Sequence, residues 1–224
     1  MKKGITKILS ACVFAFVVFL AAGTQSKAAV NMGVKQTGAG GSYVDLAWNA
    51  QLGAGHYHTQ FSQDGKNWID MEYSSSPSDS VYNLTQGASY YARVVAYNGS
   101  HYSGTHVMVG VSETAIVSTK PTEVTGLTQT AAGVNSVSMS WNASAGAASY
   151  VIYGYINYNW TQIGTSATNS ATITGVAATT STKFSVAAVK NVTGGTVTGD
   201  QCSGVEMKAI PIKVSRIAMQ YYWD

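Results

Sequence analysis

Val44-Asp-Leu-Ala-Trp48-Asn-Ala50, followed by Tyr57 and Trp68, returns further along the chain as Val137-Ser-Met-Ser-Trp141-Asn-Ala143, followed by Tyr150 and Trp160. The offset is 93 residues from Trp48 to Trp141 and from Tyr57 to Tyr150, and 92 from Trp68 to Trp160. One residue has therefore dropped out of a turn while its surroundings kept their places. A repeat of that length is a whole domain. The repeated landmarks are large apolar rings, which anchor cores; none is an acid, a base or a metal ligand.

Between the landmarks, short alternating runs of Val, Thr, Tyr and Ser are cut every eight to twelve residues by Gly, Asn and Asp, the rhythm of an antiparallel sandwich. No window of the segment after the first 28 residues carries a convincing helical apolar period. The fold class is all-β. Val44, Leu46 and Trp48 share one face of a strand, as do Val137, Met139 and Trp141. The next strand turns Tyr57, Thr59 and Phe61 to one side, matched by Tyr150, Ile152 and Gly154. Asp64-Gly65 supplies a tight turn that returns Trp68 alongside. Leu84 precedes Tyr90 by six residues, after which Ala92, Val94 and Ala96 alternate inward; Val176, Thr182, Phe184, Val186 and Ala188 repeat that spacing. The predicted core is Trp48, Tyr57, Trp68, Leu84 and Tyr90 in the first repeat and Trp141, Tyr150, Trp160 and Val176 in the second.

A second-strand Trp, a third-strand Tyr, the Leu84-x-x-Gly87-x-x-Tyr90 corner and the run from Tyr90 through Asn98 together resemble the fibronectin type III family. The resemblance covers nearly the whole chain after its first segment. It implies two tandem immunoglobulin-like β-sandwiches. Thr182 stands where the family's corner tyrosine belongs, so the second sandwich is expected to be the less stable. Pro121-Thr-Glu-Val124-Thr-Gly-Leu127 opens the second repeat, and Pro211-Ile-Lys-Val214-Ser-Arg-Ile217 copies that opening. The expected division is a secretory signal over 1–28, sandwiches over 29–120 and 121–210, and a tail over 211–224 resembling the first strand of a third domain. Such a strand could pair with an open sheet edge of another copy and so drive self-association.

Met1-Lys-Lys3, an apolar stretch ending in Phe19-Leu-Ala-Ala22 and small residues at Ser26-Lys-Ala28 read as a secretory signal of bacterial type, too short and one-sided for a membrane span. Cleavage is expected near Ala28 or Ala29. Four of the thirteen basic residues and none of the ten acidic ones lie there, so the formal +3 becomes −1 once it is removed. No basic patch remains to neutralise a polyphosphate, and nucleic acid is excluded as a partner. Cys202 is then the one cysteine left, with no intrachain disulfide and no neighbouring base to activate it.

The four histidines fall in the first repeat. His56 and His58 flank the inward Tyr57 and share the outward face, near the loop that carries His101 and His106. That placement lets imidazoles meet at a cation, but no acid is set to orient them. The reading is a solvated pair, with no metal and no cofactor. Tyr153, Tyr155 and Tyr158 in the second repeat, and Tyr91, Tyr97 and Tyr102 in the first, are the candidate ligand surface, since exposed coplanar rings stack on sugars or anchor proteins. No nucleophile–base pair, carboxylate pair, phosphate loop or zinc spacing is found, so an enzyme is not expected.

The sequence therefore describes a non-catalytic, secreted or cell-surface module for adhesion, binding or spacing, with an extracellular protein or polysaccharide as partner. A carbohydrate-binding module using the second domain's aromatics, or a spacer from a larger extracellular enzyme, are the alternatives.

Overall fold

The computed structural model describes residues 28–102, 106–178 and 180–211. The expected signal, apart from Ala28, and the tail from 212 to 224 lie outside the described residues. Among the described residues the structure is all-β, and no helix is long and apolar enough to cross a membrane.

The first half builds β1 (Lys35–Ala39), β2 (Val44–Ala47), β3 (His56–Ser62), β4 (Ile69–Ser74), β5 (Ser78–Val81), β6 (Ser89–Tyr97), β7 (Met108–Val111) and β8 (Ala115–Ser118). The second builds β9 (Thr128–Gly133), β10 (Ser136–Ser140), β11 (Ser149–Ile156), β12 (Asn159–Ser166), β13 (Ser170–Thr174), β14 (Thr182–Val192), β15 (Gly195–Thr198) and β16 (Val205–Met207). One sheet of each half runs β1-β2-β5 or β9-β10-β13. The other runs β4-β3-β6-β7 or β12-β11-β14-β15, with β8 or β16 continuing the last strand on β6 or β14. Every pairing between these strands is antiparallel, giving two sandwiches of the same topology.

Each core lies between its two sheets and is filled by the alternating residues of the facing strands. Trp48 meets Tyr57 edge-on at 5.4 Å, and Trp141 meets Tyr150 at 5.3 Å, both at 67°. Leu84 and Tyr90 are buried in the first cluster and Val176 in the second. The Tyr57 hydroxyl accepts the Gln51 amide, and the Tyr150 hydroxyl accepts that of Ser144, each six residues upstream. Cys202 is buried in the second core, its sulfur accepting the Val186 amide at 3.2 Å.

Trp68 and Trp160 correct the sequence reading. Trp68 is half-buried outside the core cluster, with the Arg93 guanidinium 4.1 Å from its ring centre. Trp160 is 38% exposed and stands opposite the outward Tyr155. The cause is a β-bulge at equivalent places, between Thr59 and Gln60 in the β3–β4 pairing and between Ile152 and Tyr153 in β11–β12. Each bulge puts an extra residue, Met71 or Ile163, on the outer strand and so moves what lies beyond it to the other face.

The turn before Trp68 also differs from expectation. Gly65 alone takes a positive φ there, and the loop is organised by Asp64, which accepts the Lys66 and Asn67 amides. Those bonds hold its carboxyl well below the usual carboxylate range. The tight two-residue turn belongs to the second sandwich, where Asn157 and Tyr158 have φ of 50° and 64°.

The sandwiches meet through the β14–β15 turn. The Thr193 amide donates to the Ile116 carbonyl at 2.8 Å, and the Ile116 amide donates back to Thr193 Oγ1 at 2.7 Å. Lys190 Nζ reaches across to the Gly87 carbonyl. Lys120 and Asp200 add an ion pair at 2.6 Å on the exposed rim.

Candidate functional site

On the outer face of the first sandwich, the alternation of β3 sets His56, His58 and Gln60 in one row. Their partners on β6 are Tyr97, Val95 and Arg93, and on β4 Tyr73 lies opposite His58. His101 and Tyr102, shortly after β6, and His106, shortly before β7, lie over the end of this row. The result is a cluster of four imidazoles walled by tyrosines.

His56 is at its centre and is 1% exposed. Its Nδ1 lies 3.1 Å from the Gly99 carbonyl, and its Nε2 is buried with no hydrogen-bond partner among the described residues. The Tyr97 ring stacks on it at 5.3 Å and 13°, while His101 and His106 stand edge-on at 5.5 and 5.2 Å. His58 Nε2 is 3.3 Å from His101 Nδ1, and Tyr73 stacks on His101 at 4.3 Å. Burial pushes the His58 imidazole below its ordinary value, with Asp70 pulling the other way and the neighbouring histidines adding to the fall. Burial likewise raises the Tyr97 phenol. One ring nitrogen from each of His56, His58 and His101 falls within 4.8 Å of the others.

The two strand histidines thus share the outward face, as read from the sequence, but they are not a solvated pair. The Gly99 backbone, His101 and His106 pack on His56 and remove it from water. Gly99 and Tyr73, which orient and cover the cluster, carried no signal in the sequence. Their part follows from cross-strand register and loop path, which single-chain alternation does not contain.

The candidate aromatic surface divides. Tyr97 and Tyr102 join the histidine cluster, Tyr102 lying 84% exposed beside His101. Tyr91 does not; it sits at the far end of β6, opposite Ser62. In the second sandwich Tyr153 is half-buried, Tyr155 is exposed, and Tyr158 projects from the turn at 91% exposure. Tyr155 and Trp160 meet at 5.3 Å and 60°, so the pair forms a ridge and not the coplanar platform that stacks on a sugar ring.

No family model matches the chain. Chitinase A1 of Niallia circulans is 33% identical to it over 162 residues, covering 69% of this chain and 22% of that protein. The chain therefore spans less than a quarter of that relative's length. Among solved structures, the two fibronectin type III domain segment of chicken tenascin is similar at 15% identity and a TM-score of 0.39, over 79% of this chain and 97% of that one. The FN1–FN3 domains of chicken CNTN1 are similar at 16% identity and a TM-score of 0.43, over 81% and 68% of the respective chains.

Proposed function

We propose that the chain is a tandem of two fibronectin type III-like sandwiches that serves outside the cell as a non-catalytic spacer holding two binding faces in fixed relative orientation. The observation that carries this reading is the strap between the halves. Thr193 and Ile116 exchange two hydrogen bonds, and the Lys190 ammonium, on a residue 4% exposed, is given to the Gly87 carbonyl. A buried amine is expensive to desolvate unless it finds an acceptor, so the halves can close on Lys190 only in the arrangement that presents the Gly87 carbonyl to it, which the exposed Lys120–Asp200 pair would not enforce. Fixed orientation is what a spacer supplies and what a loose pair of modules does not.

The shared stretch with a chitinase makes chitin the first surface to test. Small-angle scattering of the chain is expected to fit one fixed two-domain particle, and Lys190→Met combined with Thr193→Ala to broaden it into many orientations. A wild-type profile that already requires freely reorienting halves would refute the spacing role. Release of reducing sugar from chitin by the purified protein would refute its non-catalytic part.

A further inference from the structure

We propose that His56, His58 and His101 form a site for a first-row divalent transition-metal ion, with zinc(II) as the reference cation, tying β3 to the connection between β6 and β7. This goes beyond the spacing role and does not depend on it.

Three observations converge. Zinc holds imidazole nitrogens at about 2.0–2.1 Å, so two tetrahedral ligands lie about 3.3 Å apart. His58 Nε2 and His101 Nδ1 already stand at 3.3 Å. The third nitrogen lies within 4.8 Å of both, a gap that small ring rotations close.

The second observation is the buried, unpartnered nitrogen. A carbonyl oxygen only accepts, so its contact with Gly99 O puts the His56 proton on Nδ1 and leaves a lone pair on Nε2. That lone pair is out of water with nothing among the described residues donating to it, a costly arrangement unless a cation completes it. The third is orientation. A ligating histidine characteristically gives its other N–H to a carboxylate or a backbone carbonyl, and Gly99 O fills that place. The acid that sequence reading looked for is not needed.

The donor set selects the ion. Neutral nitrogens suit zinc, copper and nickel, whereas calcium and magnesium take oxygen ligands. Metal binding displaces the hydrogen bond between His58 and His101, and the proton in it moves to the far nitrogen of the ring that donated it. His106, its ring 5.2 Å from His56, flanks the trio.

The test uses the full chain, purified without a histidine tag and stripped with EDTA, titrated with zinc chloride by calorimetry and by thermal melting. One equivalent is expected to bind, and a hundredfold excess over Kd to raise the melting point of the first sandwich by about 10 °C. His58→Gln and His101→Gln, both partly exposed positions, are expected to lose about tenfold or more in affinity and most of the shift. As a readout independent of these variants, cobalt(II) added to the wild-type chain is expected to show visible bands of a tetrahedral nitrogen site. No zinc-dependent shift in the wild type, retention of the shift in both variants, or an equal shift with magnesium chloride would overturn the proposal.

Discussion

The Tyr90 hydroxyl accepts the Thr85 amide at 3.0 Å, closing the corner that leads into β6. The second sandwich has Thr182 at the matching position, and there the cross-strand pair Tyr90–Val117 becomes Thr182–Met207. The longer methionine is buried there at 1% exposure, but among the described residues no hydroxyl takes the place of the one that pins the loop. Tyr90→Phe is expected to cost about 1 kcal/mol, or several degrees in the melting point of the first sandwich. The two halves expressed separately should melt in order, the second below the first. Equal or reversed midpoints would show that Met207 compensates fully.

Burial separates the tryptophans into two energetic classes. Trp48→Ala and Trp141→Ala are expected to cost about 3–5 kcal/mol each, a large share of a small domain's stability. Trp68→Ala should cost about 1 kcal/mol, the scale of one partly solvated cation–π contact with Arg93. Trp160→Ala should be similarly mild, because its ring rests on Gly204, where a Cβ would come within 2.8 Å of it, and on Tyr155 at the surface. Urea denaturation of the four variants checks the ranking; a Trp160→Ala loss as large as that of Trp141→Ala would contradict the outward assignment.

The same residues show what was legible. The Trp-Asn-Ala repeat, the alternation on β2, β3 and β6, and the tyrosine corner all express period-two burial, which a sequence carries directly. The facing of Trp68 and Trp160 depends on bulges, and a bulge leaves no mark in the hydrophobic pattern. For the histidines, parity put His56 and His58 on one face. Burial of His56 came from the backbone at Gly99, whose contribution has no side chain to read.

One repeated device escaped the sequence reading altogether. Gln36 donates to the Ser118 carbonyl at 2.8 Å and accepts the Ser118 amide at 2.9 Å; Gln129, 93 residues on, does the same with Lys208 at 2.9 and 3.1 Å. Each amide stitches the first strand of one sheet to the end of the last strand of the other, Ser118 closing β8 and Lys208 directly following β16. Gln36→Glu keeps the shape but turns the donor into a second acceptor facing a carbonyl. It is expected to cost about 2 kcal/mol at neutral pH and to exceed the loss in Gln36→Ala. Its carboxyl is then pushed up in the fold, so stability returns as pH falls toward the unfolded carboxyl value of about 4.3, where the protonated acid donates again. Equal losses in the two variants across pH would rule out the stitch.

Asp79 offers a test of pH linkage. Burial pushes its carboxyl above the ordinary value of 3.8, while hydrogen bonds from Thr59 Oγ1 at 3.0 Å and from the Ser80 amide oppose the rise. The folded state therefore holds the proton more tightly than the unfolded one. Stability from this group is fully present below pH 3.8 and is lost as pH rises through the folded value, leaving a desolvated carboxylate at neutrality. Asp79→Asn removes the charge and can keep both partners: its oxygen accepts the Ser80 amide, and its nitrogen donates to Thr59, whose hydroxyl turns to the Glu72 carbonyl at 3.3 Å. The variant should melt above the wild type at pH 7, and the gap should close as pH is lowered toward 3.8. A gap that stays constant or widens on acidification would show that the hydrogen bonds, and not burial, govern this carboxyl.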